Sequence, residues 1–175
     1  MTTPADDDGR FVVVDGRRWR ATDPSIPTAF RTELVHELMD ARRAVGAVTR
    51  AGGDPVVERG RVHDAKLALG ERGDPWWETP TADGRRRRIE ATILTLLRAR
   101  DPASSICPSD VARAVGAGSW RPLVPEVRTI AADLAATGAI VITQRDVPVD
   151  VRSARGPVRL RRGPSMPESS GAGLR

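Results

Sequence analysis

Three groups of arginines have the clearest capacity for chemistry in this sequence, and that chemistry is anion binding. The first group is Arg121 and Arg128, which stand seven residues apart and would share one face of a helix. There Arg128 has the planar donor fork that pairs with guanine, Arg121 can hold a phosphate near the helix start, and Thr129 flanks them. The spacing predicts a nucleic-acid contact. The alternative is a solvated helix face, on which Glu126 and Asp133 partly neutralise the positive charge.

The second group lies on a predicted loop between the last two strands. It consists of Arg145, Arg152 and Arg155. Arginines on such a loop bind phosphates through their charge and their paired N–H donors. The alternative is an edge strand that its charges protect from aggregation. The scarcity of nearby acidic residues favours anion binding.

The third group is a run of four arginines at residues 85–88, with Arg86 and Arg87 as candidate nucleic-acid contacts. Four cations at a helix N-terminus oppose the helix dipole, so helix stability does not explain them. The run is either a clamp for a polyanion or the solvated end of a linker.

Residue types that catalysis needs are sparse. The two histidines, His36 and His63, fall on different predicted helices, and no histidine is predicted beside Cys107. One cysteine rules out a cysteine-based zinc site, and no third ligand stands beside either histidine. No glycine-rich phosphate loop or nucleophile elbow occurs. We therefore expect no enzyme activity, no catalytic residue, no metal and no cofactor.

The tryptophans are interpreted as packing residues. The chain has two phenylalanines and no tyrosine, so it needs large aromatic side chains for its core. Trp19, Trp77 and Trp120 are assigned this role, although Trp76, Trp77 and Trp120 could also stack on bases.

Charge is distributed unevenly along the chain. Residues 1–84 hold 12 basic and 15 acidic side chains, a net charge of −3, whereas residues 85–175 hold 16 and 8, a net charge of +8. A polyanion would therefore meet the second half. The acidic N-terminus does not read as a targeting segment, and no apolar run is long enough to cross a bilayer. A cytoplasmic location and no membrane partner are expected.

The first half is predicted to form a β-hairpin and an antiparallel helical hairpin, over residues 10–78. Residues 1–9 are predicted to be disordered, and Asp15-Gly16 is a strong signal for the hairpin turn. The break between the helices contains Asp54, the expected N-cap of the second. The stripe of the first helix is spaced almost like a heptad and could pair with a second copy or another protein. Its members are Phe30, Leu34, Leu38, Ala41, Val45 and Val48.

The second half is predicted to form a winged helix-turn-helix domain over residues 87–162, after a linker at 79–86. Three helical stripes are followed by strands at Ile140 to Gln144 and Pro157 to Arg161, with the basic loop between them. The third helix begins somewhere between Ser119 and Pro125. Residues 163–175 are predicted to be a disordered tail. The fold class is therefore α+β, mainly helical.

Two segments resemble known families. The sequences ICPSDVAR at 106–113, WRPLVPEVR at 120–128 and RGP at 155–157 resemble a bacterial family known as a domain of unknown function. That resemblance spans about residues 88–162 and implies a compact winged-helix domain, with no ligand or reaction. The sequences DGRRWR at 15–20, ALGERG at 68–73 and WWE at 76–78 are similar to small bacterial proteins named biopolymer transporter Tol proteins.

These patterns together predict non-catalytic nucleic-acid binding, with double-stranded DNA ahead of RNA. One alternative is a protein-interaction adaptor that uses the winged helix as a scaffold. Another is a small-molecule regulator with its ligand near the tryptophans of the first half.

Overall fold

The structure, a computed structural model, describes residues 8–166, and within them the chain is an α+β protein with more helix than strand. In chain order its elements are β1 (Phe11–Val14), β2 (Arg17–Arg20), α1 (Thr28–Arg50), α2 (Val56–Ala68), α3 (Ala82–Ala99), α4 (Pro108–Gly116), α5 (Val124–Ala136), β3 (Ile140–Gln144), β4 (Val147–Pro148) and β5 (Arg159–Arg162). Strands β1 and β2 form one antiparallel sheet, and a second has the order β4-β3-β5. No helix in this part of the chain is both long and apolar enough to span a membrane.

The first hairpin has the predicted turn. Asp15 and Gly16 both have positive φ, at 49° and 72°, which a two-residue turn matched to the strand twist requires. The turn sets a register in which Val12 pairs with Trp19 and Val14 with Arg17.

Helices α1 and α2 form the predicted helical hairpin, and a buried ion pair joins them. Arg61 of α2 donates to both carboxylate oxygens of Glu37 on α1, over 2.7 and 2.9 Å. The expected N-cap is corrected, because Pro55 rather than Asp54 occupies that position and makes no side-chain cap bond. Asp54 lies 3.7 Å from Arg59 instead.

Helix α3 is central to the fold because both halves of the chain pack on it. It contacts α1 and α2 on one side and α4 and α5 on the other. Its side chains at Ile89, Ile93, Leu96 and Leu97 are buried in a hydrophobic core that includes Leu34 and Leu69 from the first half. Three of the six residues of the apolar stripe of α1 are buried within the chain, namely Leu34, Leu38 and Ala41.

Ion pairs also join the two halves through α3. Arg88 binds Asp23 at 2.7 Å, Arg98 binds Asp64 at 2.8 Å, and Arg100 binds Glu33 at 2.7 Å. The acidic first half and the basic second half therefore neutralise part of each other's charge.

The predicted linker differs from the structure, since α3 already begins at Ala82. The Thr81 hydroxyl caps this helix by accepting from the Gly84 N–H at 2.9 Å. Asp74 holds Thr81 in turn, because one carboxylate oxygen accepts from both its hydroxyl and its N–H. A cap of this kind satisfies backbone donors that the start of a helix leaves open.

The tail prediction differs over the residues that the structure describes. Gly163 N–H donates to the Ala139 carbonyl, Ser165 N–H donates to the Gly138 carbonyl, and Met166 is buried. Backbone pairing with the start of β3 orders this segment. At the N-terminus, residues 8 and 9, also predicted to be disordered, lie in a turn before β1. Residues 1–7 and 167–175 lie outside the described part of the chain.

Candidate nucleic-acid interface

Helix α5 presents one face to the core and the opposite face to solvent. Val127, Ile130 and Leu134 are buried, whereas Thr129 is exposed and Arg128 is half-buried. This helical spacing places two of the predicted contacts, Arg128 and Thr129, away from the core.

Arg128 ties the loop after β4 to α5. Its Nη1 donates to the Gly156 carbonyl at 3.2 Å, and its Nη2 donates to the carbonyls of Val151 and Ala154 at 3.3 and 2.8 Å. A guanidinium has five N–H donors in a fixed plane, so this one retains donors after binding three carbonyls. Arg128 therefore positions the loop, a role that sequence reasoning missed.

Asp133 of α5 brings the other two arginine groups to the same surface. Its Oδ2 accepts from Arg86 of α3 at 2.9 Å, and its Oδ1 accepts from Arg152 of the loop at 3.0 Å. The hydrogen bond to Asp133 is the main cause that raises the pKa of Arg86 above its ordinary value. One carboxylate thus holds two guanidinium groups side by side, and both are partly exposed.

The run at residues 85–88 divides among four partners. Arg85 binds Glu126 of α5 at 2.9 Å, and Arg87 binds Asp83 at 2.8 Å. Arg87 also lines a small cavity with His63 and Asp64 of α2. Each arginine of the run has a carboxylate partner, and Arg87 lies apart from the α5 surface.

Arg121 does not share the face of Arg128. It lies in a 3-10 turn, Arg121–Leu123, that precedes α5, because Pro122 and Pro125 place a break and then a new helix start there. Its guanidinium carbon is 4.8 Å from the centre of the Trp120 ring, and that of Arg113 is 4.7 Å from the same ring. Trp120 packs against the core as predicted. Arg113, which is not among the predicted contacts, is brought to Trp120 by the turn after α4.

Arg145 and Arg155 lie on the exposed part of the loop region. Arg145 and Asp146, with φ of 51° and 64°, form the tight turn between β3 and β4. Gln144 donates to the carbonyls of Arg155 and Pro157, which brings the far end of the loop back to β3. Within residues 8–166 neither arginine forms an ion pair, whereas Arg161 binds Asp146 at 2.6 Å.

The predicted contacts therefore form one main group and three outlying parts. Arg86, Arg128, Thr129 and Arg152 come together at α5. Arg145 and Arg155 extend from the β3-β4 side, Arg121 stacks on Trp120, and Arg87 lies apart beside α2. A shallow depression of about 380 Å³ lies between α5 and the loop, with Arg128, Thr129 and Arg152 among its lining residues.

No cluster of three metal-ligating side chains occurs among residues 8–166. His36 lies 3.5 Å from Asp40 on the same helix, and His63 lies 2.7 Å from Arg72. The Cys107 N–H donates to the Asp110 carboxylate at 3.0 Å, a contact that helps to begin α4.

Comparisons with known proteins bear on the second half of the chain. None of the curated proteins matches this sequence. Residues 86–163 match the model of a family described as Protein of unknown function (DUF3253). The match begins inside the arginine run and ends one residue after β5, and it leaves the predicted similarity of the first half to Tol proteins without a test. Over residues 86–163 the chain is therefore similar to a domain family of unknown function, as the sequence predicted.

Proposed function

We propose that this protein binds double-stranded DNA without catalysing a reaction, through α5, the loop after β4 and the first turn of α3. The order α3, α4, α5, β3, β5 is that of a winged helix-turn-helix, with α5 as its third helix. Ile106, which lies between α3 and α4 in the chain, makes an antiparallel β-bridge to Leu160 of β5. Winged-helix domains have a short strand at this place. In this class of domain the third helix enters the major groove.

The observation that carries the proposal is the shared carboxylate of Asp133. Without it, Arg86 and Arg152 would repel each other. With it, two cations from distant parts of the sequence are held within reach of neighbouring phosphates. Glu126 is already paired with Arg85, so the two acidic residues of the α5 surface are both neutralised within the protein. A phosphate oxygen can accept the guanidinium donors that these carboxylates leave free.

The roles within the interface follow from the hydrogen bonds. Arg86 and Arg152 contact phosphates, and Arg145 and Arg155 extend that contact along the backbone. Arg128 positions the loop, so Thr129, the exposed polar residue beside it, is the side chain directed at a base edge. A single threonine distinguishes bases only weakly. We therefore expect the interface to bind duplex DNA with little preference for its base sequence.

The test uses the full chain, because the core joins both halves. Anisotropy of a labelled duplex is titrated with the protein between about 50 and about 200 mM salt, conditions under which phosphate contacts weaken steeply. The variants are Arg152→Ala and Arg86→Ala. We expect each to weaken binding on every duplex sequence and to lower the slope of log affinity against log salt by about 1.

The matched control is Arg50→Ala, which removes an exposed arginine at the end of α1 that has no ion pair in the described structure. It should leave both affinity and slope unchanged. Absence of duplex binding at about 50 mM salt contradicts the proposal, as does a loss with Arg50→Ala equal to that with Arg152→Ala. The first result would favour the adaptor alternative, and the second would indicate charge attraction that is not confined to the α5 surface.

A further inference from the structure

A cleft in the first half of the protein is independent of the DNA surface. It lies between the β1-β2 hairpin and helices α1 and α2, and has a volume of about 610 Å³. Sites for small molecules typically measure about 300–1,000 Å³. The cleft therefore has the size of a ligand site.

One wall of the cleft is apolar and exposed. In the hairpin register Val12 lies opposite Trp19 and Val14 opposite Arg17, so these four side chains share one face. Val12, Val14 and Trp19 are 36%, 49% and 45% exposed. The packing role predicted for Trp19 is thus only partly met, since nearly half of this side chain contacts solvent. These apolar side chains are therefore available to contact the apolar part of a ligand.

The opposite face of the hairpin is already occupied. Phe11 packs edge-on against Trp77, with ring centres 5.3 Å apart, and Arg18 lies over the Phe11 ring. Arg20 donates to the Gly73 carbonyl at 2.8 Å, and Trp76 donates to the Ala21 carbonyl at 3.0 Å. These contacts anchor the hairpin, so the cleft is formed before any ligand arrives.

The charged residues of the lining are mixed, but its four cations outnumber its two carboxylates and leave a net charge of +2: they are Arg17, Arg20, Arg42 and Lys66 against Asp15 and Glu71. Arg17 and Arg42 are exposed and form no ion pair within residues 8–166. Lys66 has its ammonium 5.0 Å from the Trp19 ring and 3.9 Å from Glu71. Burial lowers the pKa of Lys66 and Glu71 raises it, while Arg42 and Arg72 lower it further. The surroundings of this lysine therefore include two other cations that an incoming anion would offset.

We propose that this cleft binds a small organic anion with a flat apolar body, of the class of aromatic carboxylates and sulfonates. The ring system lies on Trp19 and the two valines. The anionic group lies between Arg17 and Arg42, with Lys66 beside it. Charge and shape select the ligand together, because an apolar body alone leaves the cations unpaired and an inorganic anion leaves the tryptophan exposed.

The experiment uses anilinonaphthalene sulfonate as the probe and the uncharged N-phenylnaphthylamine as its neutral counterpart. Fluorescence titrations are made with the full chain and with the Arg17→Gln/Arg42→Gln double variant. Because a charge-assisted hydrogen bond changes affinity on the order of tenfold, the double variant should bind the sulfonate at least about 10-fold more weakly. It should bind the neutral probe unchanged.

Two further measurements locate the probe. The control Arg50→Gln removes an exposed arginine that lies on α1, like Arg42, but does not line the cleft. This variant should bind the sulfonate like the parent protein. In nitrogen–proton correlation spectra, the indole signal of Trp19, assigned by its loss in Trp19→Phe, should shift on addition of the sulfonate. The Trp120 signal should not.

Three outcomes would overturn the proposal. One is no sulfonate binding, another is equal affinity in the parent and the double variant, and the third is a probe that shifts Trp120 and not Trp19. Thermal unfolding of each variant shows whether the fold is retained, and both arginines are exposed, so their replacement leaves the core intact. Duplex binding is measured in parallel, since its failure has no bearing on the cleft.

Discussion

The ion pair between Glu37 and Arg61 is the most buried one described, and breaking it should cost more than any surface change. The two side chains are 2% and 6% exposed, and two hydrogen bonds join them in parallel. Removing one partner of such a pair leaves an uncompensated charge in the interior, which costs about 3–5 kcal/mol. The variants Arg61→Met and Glu37→Met should each lose about that amount.

Replacing both residues should behave differently. In Glu37→Met/Arg61→Met neither member of the pair is left charged without the other, and two apolar side chains of similar length fill the space. Exchanges of this kind are close to neutral or stabilising. We therefore expect the double variant to lose far less than the sum of the two single losses.

Urea unfolding of the four proteins gives the free energies, provided that the slope of free energy against denaturant is the same for all. For a chain of this length 1 kcal/mol corresponds to about 2–4 °C, so each single variant should melt about 6–20 °C below the parent. The reasoning is refuted if the losses are additive, because the cost would then come from each side chain separately and not from the unpaired charge.

Three other predictions concern stability. Thr81 lowers the pKa of Asp74 below its ordinary 3.8, first through its hydroxyl and then through its N–H. The stability that the ionised Asp74 contributes is present above about pH 4 and is lost as the pH falls through the lowered pKa. In Asp74→Asn the urea midpoint should therefore decrease less steeply as the pH is lowered. Arg162 donates to the carbonyls of Leu97, Arg98 and Arg100 at the end of α3; Arg162→Met should cost about 1.5–3 kcal/mol by urea unfolding, and Arg159→Met, on the same strand and exposed, should cost little. A Cβ on Gly163 would lie 2.2 Å from the Gly138 carbonyl oxygen. Gly163→Ala should therefore lose about 1–3 kcal/mol, and Gly60→Ala, in open space on α2, should gain up to about 1 kcal/mol in the same assay.

Local sequence signals predicted the elements of the fold well. Asp15-Gly16 specifies a turn by its own backbone preferences, and the stripe at Ile89, Ile93 and Leu96 specifies the buried face of a helix. These signals depend on neighbours in the chain. The start of α3 was predicted too late because its cap depends on Asp74, which binds Thr81 from outside the helix.

The candidate site was predicted as separate parts whose relation was missed. Nothing local connects Arg86 and Arg152, and they meet only because Asp133 lies between them in the folded chain. The same reason applies to Arg128, whose partners are main-chain carbonyls that any sequence provides. Charge asymmetry was read as a sign of an external polyanion, whereas Arg88, Arg98 and Arg100 use part of that charge to bind acidic residues of the first half.

Arg128 holds the loop after β4 through bonds that do not depend on the side chains of that loop. All three of its acceptors are carbonyl oxygens of the backbone, at Val151, Ala154 and Gly156. The amino acids displayed between them can therefore be exchanged without altering the three bonds from Arg128, provided that Gly156 keeps its positive φ of 83°. Positions 152, 153 and 155 are therefore suited to randomisation. Variants with new binding properties can be selected there while the bonds from Arg128 are kept.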